Sequence, residues 1–118
     1  MSRRMTRYKS ILYILIALVF TTPAFNQAGI YSETDIEYQS LFFDAELAKQ
    51  LGKTDDQIFA LKEILRRNPE EAVAYHELSQ AYFLKDEHDL AIKNAKKAVK
   101  YNSENEWFLV NLAEIYEQ

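Results

Sequence analysis

The sequence predicts an all-α protein, an α-solenoid of antiparallel helix pairs about two and a half repeats long. Two observations carry that reading. The first is a period of 34 residues. Tyr75, Leu78, Ser79, Tyr82, Ala91, Ala95, Ala98 and Ser103 have Leu41, Asp44, Ala45, Ala48, Gln57, Leu61, Ile64 and Pro69 one period earlier. One period later than the first four stand Leu109, Leu112, Ala113 and Tyr116. A fixed period of this length marks helix pairs that cannot bury their apolar faces alone and share a core with their neighbours. The second is composition. Two Gly and two Pro in 118 residues leave little material for the turns of an all-β fold, and favour long helices with short connections. A 48% apolar content is enough for a packed core.

The length suits one small domain. With no cysteine, disulfides, thiolate metal sites, cysteine catalysis and an acylated-cysteine anchor are excluded. Charge is uneven. Arg3, Arg4, Arg7 and Lys9 open the chain, whereas all 18 acidic residues lie from Glu33 onward. Without the opening segment, ten basic and 18 acidic residues leave −8, a poor match to polyanions, so nucleic acid is not an expected partner.

Residues 1–28 are expected to be a secretory signal peptide or, failing cleavage, a membrane anchor. A basic segment precedes an unbroken apolar run over 11–20, and Thr21, Thr22, Pro23 and Ala24 supply small residues and a helix breaker. The run is shorter than the ~20 residues that span a bilayer. Cleavage after Ala24 places Thr22 three residues before the new end, while cleavage after Ala28 places Asn26 there. The mature chain is thus expected outside the cytoplasm: periplasmic, envelope-associated or secreted.

Residues 29–37 read as a linker and the start of a first helix, opening near Ser32 or Thr34 and ending at Gly52, which can take the left-handed conformation. Thr54 with Gln57 forms a capping box for a second helix reaching about Asn68. Asn68 can cap and Pro69 suits a first helical position, so a third helix is expected over 70–85. A turn over 86–89 leads to a fourth helix over 88–102. Ser103 with Glu106 forms a capping box for a fifth, running to the end of the chain. Ala45, Ser79 and Ala113 are expected where paired helices meet, faced by Ala91 and Ala98. Tyr75, Leu78, Tyr82, Ile92 and Val99 fill the space on either side.

This spacing resembles the tetratricopeptide repeat, W-x2-L-G-x2-Y…A-x3-F…P. The match is full over 72–105 and degenerate over 38–71, where Gln57 and Ile64 replace Ala and Asp44 replaces an apolar residue; 106–118 hold only the opening helix of a third repeat. The resemblance implies a protein-binding scaffold with no cofactor and no catalysis. It also implies that the first helices of successive repeats line a concave groove for a peptide or partner helix. That groove comprises Gln39, Phe42, Phe43, Glu46 and Lys49, then Val73, His76, Glu77, Gln80 and Phe83, then Trp107, Val110, Asn111 and Glu114. Aromatic and acidic side chains together suit an apolar peptide carrying basic residues. Family members that clamp acidic chaperone tails use Lys, Asn and Arg there. Here Phe42, Glu46, Glu77 and Trp107 depart from that set and only Asn111 agrees, so that ligand is not expected.

Catalytic and metal motifs are weak. His76-Glu77 begins the helical zinc pattern H-E-x-x-H, but Gln80 stands where the second ligand belongs. His88 reads as a packed turn residue. Lys93, Lys96, Lys97 and Lys100 share one face of the fourth helix and read as solvated outer surface, with contact to anionic lipid or a partner as the alternative. The final segment offers Trp107, Phe108, Leu109, Leu112, Ile115 and Tyr116, too many apolar groups for one face. Two expectations follow from that excess. Either the natural chain continues beyond Gln118, or another copy or partner covers the surface by association through this helix. The competing role is a structural part of an envelope assembly held by the uncleaved N-terminus.

Overall fold

A computed structural model describes residues 32–118, and the compact unit within them runs from Asp35 to Gln118. The expected leader over 1–28 and the linker residues 29–31 lie outside the described residues. Every regular element described is a helix: α1 (Glu33–Gln50), α2 (Thr54–Arg67), α3 (Ala72–Leu84), α4 (His88–Tyr101) and α5 (Glu106–Tyr116).

The 34-residue period is visible in the hydrogen bonds of the turns. At the end of α1, Gly52 has φ +68, its N–H bonds to the Lys49 carbonyl and that of Lys53 to Ala48. One period later Asp86 has φ +58, its N–H bonds to Phe83 and that of Glu87 to Tyr82. Both are the same helix-ending motif, in which a left-handed residue turns two amides back onto the last carbonyls. The exits of α2 and α4 correspond as well: the Asn68 and Asn102 amides bond to the carbonyls of Ile64 and Ala98.

Helix starts differ from the sequence expectation. Lys53, not Thr54, precedes α2, and no side-chain cap forms there. Gln57 is buried at 3% exposure and turned toward Glu77, so it cannot reach back to complete a box. Pro69 lies in a turn closed by the Glu71 amide on the Asn68 carbonyl, which delays α3 to Ala72. Before α5 the cap is Asn105, whose side chain accepts from the Trp107 amide at 3.1 Å; Ser103 takes no part in it.

The core shows how a degenerate first repeat still packs. In the second repeat the bulk sits on α3 (Tyr75, Leu78, Tyr82) and the small residues on α4, where Ala91, Ala95 and Ala98 are fully buried. In the first repeat part of that bulk moves to the second helix at the same register, with Ala48 standing where the second repeat has Tyr82. Gln57, Leu61 and Ile64 on α2 are 3%, 1% and 0% exposed, and α1 offers buried Ala45 and Ala48. Because interiors pack close to crystal density, only the summed volume across the seam must be kept. Ala113 departs from its expected place. It is exposed, since no helix follows α5 among the described residues.

Candidate partner-binding groove

The first helices of the three helical units, α1, α3 and α5, bring the anticipated groove residues onto neighbouring elements. Phe42, Ala45 and Glu46 of α1, Gln57 and Leu61 of α2, and Val73 and Glu77 of α3 line a cleft of about 110 Å³. Its floor is apolar and its polar groups are two carboxylates and an amide. Glu77 is partly buried and serves as the hub. It accepts from Lys49 Nζ at 2.7 Å, which ties α1 to α3, and from Gln57 Nε2 at 3.5 Å. Glu46 accepts from Gln50 Nε2 at 3.0 Å and has no cationic partner among the described residues.

A larger cleft of about 520 Å³ opens between α3 and α5, lined by Gln80, Phe83, Leu84, Asn111, Glu114, Ile115 and Gln118. Here too the single charged group is a carboxylate, Glu114. Val73 in the first cleft is 47% exposed, and beyond the clefts Phe43 is 68% exposed, Trp107 77% and Val110 46%, which leaves much apolar surface uncovered. Gln39 is exposed on α1 as well.

Two residues expected in the groove are used inside the fold. Asn111 is buried, and its Nδ2 donates to Ser79 Oγ at 2.8 Å; that hydroxyl in turn donates to the His76 carbonyl at 2.7 Å. His76 lies half-buried at the same α3–α5 seam, its ring stacked on Phe108 at 4.8 Å with Nδ1 buried and unpartnered. Burial holds its pKa below the ordinary value, with Glu77 pulling it up and Lys49 pushing it down. His88, expected as a packed turn residue, is the exposed first residue of α4 and meets Phe83 edge-on at 5.5 Å. Gln57 was missed as a site residue. Its signal was present in the sequence as a polar side chain at a small-residue core position.

No group of three or more metal-ligating side chains occurs among the described residues, and none of their helices is long and apolar enough to cross a membrane. The described helices form a short helical-repeat scaffold. Residues 72–105, comprising α3, α4 and their turns, match the family model described as the tetratricopeptide repeat, a protein–protein interaction module. No curated protein matches the chain.

Proposed function

We propose that this chain is an exported, non-catalytic interaction module that holds an extended peptide segment of a partner protein across α1, α3 and α5. The segment carries apolar side chains flanked by Lys or Arg. The observation that supports this is the cleft between α1 and α3, where Phe42, Val73 and Leu61 form an apolar floor beside the carboxylates of Glu46 and Glu77. An aliphatic stem can bury there while a cationic head reaches Glu46, which has no competing cation.

Selection from a random peptide library on the full-length chain tests the specificity. Peptides combining apolar and basic residues are expected. Phe42→Ala and Trp107→Ala should each weaken binding about thirtyfold, roughly 2 kcal/mol, with the helical circular dichroism retained. Enrichment of acid-terminated peptides, or affinity untouched by Phe42→Ala, overturns the reading. Export rests on the basic-then-apolar order of residues 1–20. N-terminal sequencing of the exported product checks it, and a membrane-bound chain still starting at Met1 favours the anchored structural role.

A further inference from the structure

The body of this acidic chain concentrates cationic charge on one helix face away from the groove. Lys93, Lys96, Lys97 and Lys100 fall within an arc of about 100° on α4, and after Asp89 that helix carries no acidic residue. Among the described residues none of the four pairs with a carboxylate. Three are instead placed over tyrosine rings: Lys96 over Tyr116 at 5.5 Å, Lys97 over Tyr75 at 5.0 Å and Lys100 over Tyr101 at 5.2 Å. Ring faces hold the ammonium groups without neutralising them, so their charge stays available to an outside anion. The 34-residue register continues the pattern on α2, where Phe59, 68% exposed, and Lys62 occupy the positions of Lys93 and Lys96.

We propose that the α4 face docks on an anionic phospholipid surface. A row of unpaired lysines on the outer face of α4, with the exposed rings of Tyr116 and Phe59 nearby in the register, matches the spread charge and amphipathic boundary of a bilayer rather than a single phosphate in a pocket. Docking through α4 leaves the groove of α1, α3 and α5 open to its partner.

The chain contains no cysteine, so single-site labels report the contact in the full-length protein. A fluorophore on Leu90→Cys of α4 is compared with one on Gln39→Cys of α1, using vesicles of brominated phosphatidylcholine with or without phosphatidylglycerol. Quenching is expected at position 90 only, and only when phosphatidylglycerol is present. Each lysine near such a surface contributes about fivefold, so replacing all four by Gln should lower the partition by two orders of magnitude or more. Rising salt should abolish it in the native chain. If the Gln variant loses its helical signal, the fourfold Lys→Arg variant must bind as the native chain does. Equal quenching at position 39, quenching in neutral vesicles, or quenching indifferent to salt overturns the proposal. Protection of the position 90 label by polyglutamate but not by anionic vesicles assigns the face to an acidic protein instead.

Discussion

The size exchange between the two repeats can be tested by copying one seam into the other. Ala98 is fully buried in a cluster with Ala72, Tyr75 and Phe108, and the residue one period earlier is Ile64, also fully buried. Leu41, one period before Tyr75, packs against the cluster that holds Ile64, and Tyr75 shares a cluster with Ala98. Ala98→Ile alone adds three heavy atoms where no solvent space exists and should cost about 1–3 kcal/mol. Tyr75→Leu alone loses the hydroxyl bond to the Pro69 carbonyl at 2.9 Å and the stack on Tyr101, and leaves a void. About 2 kcal/mol or more is expected for it. The double variant reproduces the Leu41 and Ile64 combination of the first repeat, in which the added carbons are expected to enter the void left by the ring. Its loss should fall short of the sum by about 0.5–3 kcal/mol. Urea melts followed at the helical circular dichroism band measure all three, with Lys93→Leu as an exposed control expected within about 0.5 kcal/mol. Additivity within about 0.5 kcal/mol would refute compensation across the seam.

Acid should loosen the seam between α3 and α5. The neutral His76 ring is favoured by burial, so the unfolded chain binds its proton more readily. Stability is therefore full above the unfolded value of 6.5 and declines as pH falls below it. Urea midpoints at about pH 7.5 and 5.5 should differ in the native chain and converge in His76→Phe; an equal drop in both removes His76 as the cause. Gly52→Ala meets no atom within 4 Å yet must hold φ near +68, so a loss of about 1 kcal/mol is expected from backbone conformation alone. Asp86→Gly, at φ +58, should be neutral or slightly stabilising in the same melts, and a neutral Gly52→Ala would contradict this account.

The periodic determinants of the fold are legible in the chain. The period, the number of helices and the alanines of α4 follow from spacing, because burial recurs with helical rotation and close crossings admit only small side chains. Gly52 was legible for the same reason, as a left-handed position disfavours any Cβ. Caps were less so. Thr54 and Ser103 have the right chemistry, but a cap forms only where the incoming backbone points the side chain at free amides, and the turn places Asn105 there. In the groove, sequence alone placed Phe42, Glu46, Val73 and Glu77 on helices that face one another across the register. It could not tell that His76 and Asn111 turn inward to Phe108 and Ser79, or that Gln57 reaches Glu77 from α2. Those partners lie 20 to 32 residues apart. Which polar side chain meets which is set by helix crossing and the volume left between the helices, and both exist only once the chain has packed.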